Sequence, residues 1–482
     1  MTGASAGRRA AGTFAAVDLG ATSGRVILGR FGGRDGLRLQ HVARFPNDPV
    51  RTPDGLHWNL LELYRQVVEG LAAAEREAPG EILGVGIDSW AVDYGLLRGG
   101  RLLGLPYHYR DRRTADGVAR VHARVDAATL YTRNGLQHLP FTTVFQLASE
   151  GPLLGLADRL LLVPDLLAHW LTGAEVAERT NASTTGLLDA RTGQWDTALA
   201  AELGIPAAIL PGLVDPGASL GVLAPDVARL VGRALAVTAV GSHDTASAVV
   251  AVPTTDRDVA YVSCGTWGLV GLELDAPVLT EEARLAGFTN ERGVDGRTRF
   301  LHNVMGLWLL SESIRTWEPG ATTAQRSSTL AQLLAEAAHI SAPVTLFDVD
   351  DPRFLPPGDV PGRIADWCRE HDQPVPATRG EYVRSIVESL AQAFADAVRA
   401  AASLAGRTVS TIHVVGGGAQ NTLLCQATAD RSGLPVVAGP VEATAVGNLL
   451  VQARADGLVD GGLEDLRALV AAAFTPERYM PR

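Results

Sequence analysis

Short apolar runs rich in β-branched residues and ending in Gly or Asp alternate along the chain with Ala/Leu-rich stretches of helical period. That alternation predicts an α/β protein. Strands are expected at Thr13–Val17, Ile82–Ile87, Ala234–Val240, Val259–Ser263, Thr411–Val415 and Pro435–Ala438. Helices are expected at Leu60–Glu75, Thr245–Val252 and Gly380–Leu404. The Pro- and Asp-rich stretch Asp348–Gly362 reads as a long surface loop.

Two segments look like copies of one another: Phe14–Leu28 (FAAVDLGATSGRVIL) and Ala260–Leu272 (AYVSCGTWGLVGL). Each reads as strand, Gly/Thr/Ser turn, strand, and each opens one half of the chain. Similarity at this separation predicts a duplicated domain, since a solenoid repeats over a far shorter period. A chain of 482 residues with 46% apolar content also exceeds one ordinary domain. The junction is expected in the Pro253–Asp258 stretch, giving domains over residues 12–253 and 254–482.

A net charge of −11, with no block of consecutive cations, leaves no footprint for nucleic acid or an anionic membrane. No run approaches the roughly 18 to 20 apolar residues that cross a bilayer. The Met1–Gly12 stretch carries Arg8 and Arg9 but no separate apolar region, so a soluble, cytoplasmic protein with a small-molecule partner is expected. Cys264, Cys368 and Cys425 lack CxxC spacing, and the eleven His lack HxH or HExxH spacing, which argues against disulfides and a structural zinc. Oligomeric state is not legible. The chain contains no lysine, so P-loop, protein-kinase and Schiff-base chemistries are all excluded. Phosphates must be met by backbone N–H groups, hydroxyls, Arg and metal.

Five segments could carry chemistry. Asp18-Leu-Gly-Ala-Thr-Ser-Gly-Arg25 offers small residues for close backbone approach to a phosphate and an acid to orient hydrated Mg²⁺, or is an ordinary glycine hairpin. Ser263-Cys-Gly-Thr-Trp267 repeats the turn without the acid. Val415-Gly-Gly-Gly-Ala-Gln-Asn421 follows an apolar strand and suits a nucleotide, or is a tight turn. In Gly241-Ser-His-Asp-Thr-Ala-Ser247, Asp244 either caps a helix or accepts a substrate proton at a strand end. Gly86-Ile-Asp-Ser-Trp-Ala-Val-Asp93 sets a polar group beside an aromatic plate, a mixture that suits sugars, though Trp90 could equally be core.

Taken in order with Tyr107–Thr114, Thr180–Thr185 and Asn303–Leu310, these segments resemble the FGGY carbohydrate kinases from about residue 13 to about 455, and within them the branch acting on L-rhamnulose. The resemblance implies two ribonuclease-H-like (actin/hexokinase-like) domains with a cleft between them, the ketose bound mainly by the first and ATP mainly by the second. It implies ATP contacts at Ala21, Thr22, Ser23, Gly24, Arg25, Thr266, Ser311 and Gly417, and Mg²⁺ near Asp18 through water. Sugar contacts fall on Ala91, His243, Asp244, Thr245 and Asn303, with Asp244 the proton acceptor. Two positions depart from that pattern: Ala91 stands where it has Gly, and Ser311 where it tends to have Gln. The implied reaction is phosphorylation of a ketose. Kinases for fuculose, xylulose or glycerol, and a non-catalytic actin-like nucleotide sensor, are the rival readings.

Overall fold

The structure, a computed structural model, describes residues 11–32 and 36–482; Arg8 and Arg9 lie outside them. Two compact units emerge, neither contiguous in sequence. The first takes residues up to 255 together with 273–300 and 442–475, and the second takes 256–272, 301–441 and 476–482. The first boundary lies close to the 253/254 junction, but no composition shift marks the two later segments that return to the first unit.

In the first unit, β1 (Gly12–Leu19), β2 (Ser23–Phe31), β3 (Leu37–Pro46), β4 (Ile82–Ser89), β5 (Ser219–Val222) and β6 (Ala236–Thr238) form one sheet in the order β5-β6-β4-β1-β2-β3. β1 is buried from Thr13 to Leu19, which explains its unbroken apolar run: it pairs antiparallel with β2 and parallel with β4. The strand expected over Ala234–Val240 is shorter, because only Ala236 and Val237 pair with β4. Ala239 instead exchanges backbone bonds with the loop at Gly217 and Ala218.

The second unit repeats the path. β7 (Val259–Cys264) pairs antiparallel with β8 (Trp267–Leu274) and parallel with β11 (Thr411–Val415), which pairs parallel with β12 (Val436–Ala438). β9 (Thr289–Arg292) and the first three residues of β10 (Thr298–Met305) fall in the first unit; within the second unit the sheet runs β10 from Leu301, β8, β7, β11, β12, β13 (Glu477–Tyr479). In both units a hairpin is flanked by a third strand on one side and two parallel strands plus an antiparallel edge on the other, the ribonuclease-H-like order. The Asp348–Gly362 stretch is less of a loop than expected. It contains a 3₁₀ turn at Pro352–Phe354 and opens the helix Val360–Glu370, whose cap Asp359 accepts from Gly362 N at 3.0 Å.

The helix Ala443–Ala455 belongs to the first unit and packs on β1, β4 and the helix Asp244–Val250. A Cβ on Gly447 would fall on the Ser247 carbonyl, so the two helices cross with their backbones in contact. Gln452 Nε2 donates to the Ala15 carbonyl at 2.9 Å and to Asn448 Oδ1 at 2.7 Å. Because the obstacle at Gly447 is backbone, Gly447→Ala should lower stability by about 1 to 3 kcal/mol, the ordinary cost of overpacking. Urea denaturation checks this; a midpoint within error of wild type would mean the helices can separate freely.

Candidate active site

Strand register builds the site. Asp18 on β1 lies opposite Asp88 on β4 and opposite Arg25 on β2. At the end of β4, Ser89 N donates to the Ser242 carbonyl at 2.9 Å and Ser89 bridges His243 in parallel sense. Asp18, Asp88 and Asp244 therefore gather at one end of the first sheet. Burial, opposed by Arg25 and reinforced by Asp244 and Glu442, pushes Asp18 up to about 6. Burial and the Asp18 charge push Asp88 well above the carboxylate range.

Arg25 is the cation of this group. Its Nε sits 3.0 Å from Asp18 Oδ2 without hydrogen-bond alignment, while Nη1 donates to Glu442 Oε2 at 2.7 Å. Asn448 donates to Asp88 Oδ2 at 2.6 Å. Asp18 Oδ2, facing only the unaligned Arg25 Nε, and Asp88 Oδ1 are buried with no hydrogen-bond partner, a state that leaves both able to take a ligand. Between β1 and β2, the turn carrying Ala21, Thr22 and Ser23 is closed by Gly20 N to Ser23 O and tied by Asn47, which donates to the Gly20 and Thr22 carbonyls. Gly24 lies under the Phe45 ring, where a Cβ would overlap it.

Asp244 opens the helix Asp244–Val250, and its Oδ1 accepts from the adjacent Thr245 N at 2.6 Å and Thr245 Oγ1 at 3.3 Å. An N-cap side chain reaches the second or third helical N–H. Asp244 does not, and its side chain stays 30% accessible. Burial pushes its carboxyl up, against His243, whose Nε2 is 3.3 Å from Oδ1. The preceding Ser242 is held by Glu178, which accepts from Ser242 N at 2.9 Å and Oγ at 2.8 Å as well as from Thr180 N and Asn181 N. That network accounts for the Thr180–Thr185 motif.

Ala91 is half-buried next to Val92, a β-branched residue at φ +66°, a strained backbone position. The strain is held by Asp93, whose carboxylate accepts from Trp58 Nε1 (2.6 Å), Trp90 Nε1 (3.1 Å), Tyr109 N (3.2 Å) and Gln146 Nε2 (2.8 Å). Trp90 packs against Trp58 with ring centroids 4.0 Å apart and planes tilted by 34°, and is buried, so it forms a rigid wall for the turn.

In the second unit, the Gly265–Thr266 turn joins β7 to β8, and its carbonyls accept from Leu307 N (2.9 Å) and Trp308 N (3.2 Å) at the start of the helix Trp308–Trp317. Gly306 permits the approach: a Cβ there would strike the Trp267 and Gly268 backbone. After β11, Gly416 has φ +81° and Gly418 lies against Cys264, but nothing stands within 4 Å of a Cβ on Gly417. Protein packing thus explains two of the three glycines and leaves open space over the third. Asn421 caps the helix Thr422–Ser432 by accepting from Leu424 N at 3.1 Å. Ser311 is exposed on the helix after Gly306, and Asn303 is half-buried on β10.

Models of the FGGY family of carbohydrate kinases match the chain twice, the N-terminal domain over residues 13–251 and the C-terminal domain over 260–455. The chain belongs to the FGGY carbohydrate kinases. It is 40% identical over 475 residues to a rhamnulokinase of Bacteroides thetaiotaomicron, covering 97% of this chain and 96% of that one. A rhamnulokinase of Pectobacterium carotovorum is 41% identical over 474 residues, covering 97% and 92%. Among solved structures, a xylulose kinase of Rhodospirillum rubrum superposes with TM-score 0.75 at 22% identity (98% and 94% covered), and a Plasmodium falciparum glycerol kinase with ADP with TM-score 0.72 at 15% (98% and 94%). These likenesses establish the two-domain actin/hexokinase-like fold of this sugar kinase.

The first unit of the kinase brings together Asp18, Arg25, His243, Asp244 and Thr245, with the Ala21–Gly24 turn on the same β1–β2 hairpin. Thr266, Ser311, Gly417 and Asn303 belong to the second, so Asn303 is grouped apart from the other sugar candidates. Sequence reasoning missed Asn47, Glu178, Glu442 and Asn448, none of which sits in a glycine turn, and left Asp88 undecided. Among the described residues no three or more His, Cys, Asp or Glu side chains form a metal cage. No described helix is long and apolar enough to cross a membrane.

A carboxyl whose folded pKa exceeds its unfolded value favours the fold below the unfolded value, and that contribution is lost as pH rises through the folded one. For Asp18 the window runs from about 4 to about 6. The stability of Asp18→Asn relative to wild type should therefore rise across that window, by on the order of 3 kcal/mol. Calorimetry of the ligand-free protein reads this; a difference that stays flat with pH would show Asp18 to be ionised throughout.

Proposed function

We propose that this kinase transfers the γ-phosphoryl group of ATP to the C1 hydroxyl of L-rhamnulose in the cytoplasm, giving L-rhamnulose 1-phosphate and ADP. Identity of 40 to 41% to rhamnulokinases over 97% of the chain supports the substrate. The observation that carries the mechanism is the asymmetry of Asp244. Oδ1 is occupied by Thr245 and faced by His243, whereas Oδ2 makes none of these bonds and the side chain remains partly accessible. Oδ2 takes the hydroxyl proton as the substrate oxygen bonds to phosphorus and the bridging oxygen of ADP leaves.

The nucleotide falls to Ala21, Thr22, Ser23, Gly24 and Arg25 in the first unit and to Thr266, Ser311 and Gly417 in the second, with open space over Gly417 suited to close approach of a ligand. Asp88 offers a buried oxygen with no hydrogen-bond partner and Asp18 one met only by the Arg25 charge, a pair that fits Mg²⁺, which would bind through one or two carboxylates plus waters and phosphates and would supply charge neutralisation there. Ala91, His243, Thr245 and Asn303 contact sugar. His243 is fixed by the Arg299 hydrogen bond, Thr245 by its bond to Asp244, and Ala91 by the strained turn that Asp93 holds.

Asp244→Asn tests this reading, because the amide keeps the size of the carboxylate but accepts no proton. We expect near wild-type melting and ATP binding, with kcat for L-rhamnulose lowered by about two orders of magnitude or more. Sugar-dependent ADP release across L-rhamnulose, fuculose, xylulose and glycerol is the measurement. Turnover within a few-fold of wild type would remove Asp244 as proton acceptor, preference for another acceptor would reassign the sugar, and equal ADP release without any sugar would favour an ATPase.

A further inference from the structure

Behind His243 lie two buried ionic residues that phosphoryl transfer does not itself require. Arg299 on β10 is completely buried and Glu291 on β9 nearly so, and both come from the 273–300 segment that returns to the first unit. Arg299 Nη2 makes an aligned hydrogen bond to His243 Nδ1 at 3.0 Å. Glu291 Oε2 is also close, 2.9 Å from Arg299 Nη2 and 3.2 Å from His243 Nδ1, but it satisfies hydrogen-bond geometry with neither.

A guanidinium has only donors, so an aligned Arg–imidazole bond makes Nδ1 the acceptor. The ring is then neutral, with its proton on Nε2, and Nε2 is the atom that faces Asp244 Oδ1 at 3.3 Å. We propose that Arg299, held in place by Glu291, is a positioning residue that fixes His243 as the Nε2–H tautomer, so that His243 and Thr245 together occupy Oδ1 of Asp244 and present Oδ2 to the substrate hydroxyl. The opposite tautomer would turn a bare nitrogen toward a carboxylate oxygen, a repulsive contact that would rotate one of the two groups. This proposal rests on the reading of Asp244 as proton acceptor.

The titratable and charged groups around Asp244 are the neutral imidazole of His243, the Arg299 guanidinium, and the carboxyls Asp18 on β1 and Asp88 on β4; Glu291 faces His243 from β9. Loss of the Nε2–H donor leaves Asp244 with the repulsive neighbours and one donor fewer, so the acidic limb of the kcat profile should move to higher pH.

The test uses the full-length enzyme labelled with ¹⁵N-histidine, its His243 resonances assigned by their loss in His243→Gln. Wild type should show a protonated Nε2 and a bare Nδ1. The double variant Arg299→Met/Glu291→Gln removes both buried charges together, so neither is left unpaired. It should lose that tautomer, lower kcat about tenfold or more, shift the acidic limb upward and leave KM for ATP within about twofold, since general-base efficiency follows the state of the acceptor. A protonated Nδ1 in wild type overturns the proposal even if the double variant does not fold. So does a folded double variant with unchanged kcat and pH profile. If Asp244→Asn is inactive while the double variant is fully active, only the role of Arg299 falls. If Asp244→Asn itself turns over normally, the proton-acceptor reading falls and takes this proposal with it.

Discussion

Crowding carboxyls at the end of one buried sheet is the constraint from which much of the first unit follows. Burial raises the cost of ionising Asp18 and Asp88, and the neighbouring charges raise it further, Asp244 acting on both and Asp18 on Asp88. Desolvating such groups costs several kcal/mol per ion unless donors and countercharge are supplied. Arg25 supplies countercharge to Asp18, and Asn448 donates to Asp88. Asp88 Oδ1 is left without a hydrogen bond and Asp18 Oδ2 with only the unaligned Arg25 charge, so the protein alone does not complete this cluster. A polar network left partly unsatisfied is costly in itself, which is the physical argument for a ligand that belongs there.

Supplying those partners shapes the chain path. Asn448 and Glu442 come from residues 442–475, and Arg299 and Glu291 from residues 273–300, both beyond the first continuous stretch of the first unit. Gly447 and Gly86 make the approach of the Ala443–Ala455 helix possible, since a Cβ on Gly86 would meet Asn448 Oδ1 at 2.5 Å. Farther from the cluster the same pattern recurs with full satisfaction. Glu178 gathers backbone and hydroxyl donors around Ser242, and Asp93 gathers two indoles, an amide and a backbone N–H around the strained Val92 turn. Both hubs keep a loop rigid where a side chain must be aimed, and a buried carboxylate does this well because it accepts several bonds at once.

Sequence pattern reached the fold because its signals are local. The paired hairpins at Phe14–Leu28 and Ala260–Leu272 are visible as strand, glycine turn, strand, and the sheets built on them share one strand order. Glycine turns made Ala21 to Arg25, Thr266 and Gly417 conspicuous, and the Ser-His-Asp run made Asp244 so. The supporting residues were not legible for the opposite reason: Asn448 meets Asp88 across 360 positions, and Arg299 meets His243 across 56, so no window of sequence contains either pair. Their types gave no warning, because Asn and Arg within an apolar stretch read as surface positions. Ala234–Val240 failed for a related reason, since only its central residues find a partner strand.

The absence of lysine bears on why these contacts work. Arg25 touches Asp18 through Nε and Glu442 through Nη1, two carboxylates met by separate atoms of one planar fork. An ammonium on a flexible stem offers a single charged atom for both. At Arg299 the difference is sharper. A buried lysine can shed its proton and turn from donor to acceptor, whereas guanidinium stays charged in proteins and only donates. A neutral imidazole that accepts from Arg therefore has its tautomer decided for it, while against Lys it would depend on burial and neighbours. The fully buried Arg299 is consequently a fixed point, from which the orientations of His243 and then Asp244 follow in sequence.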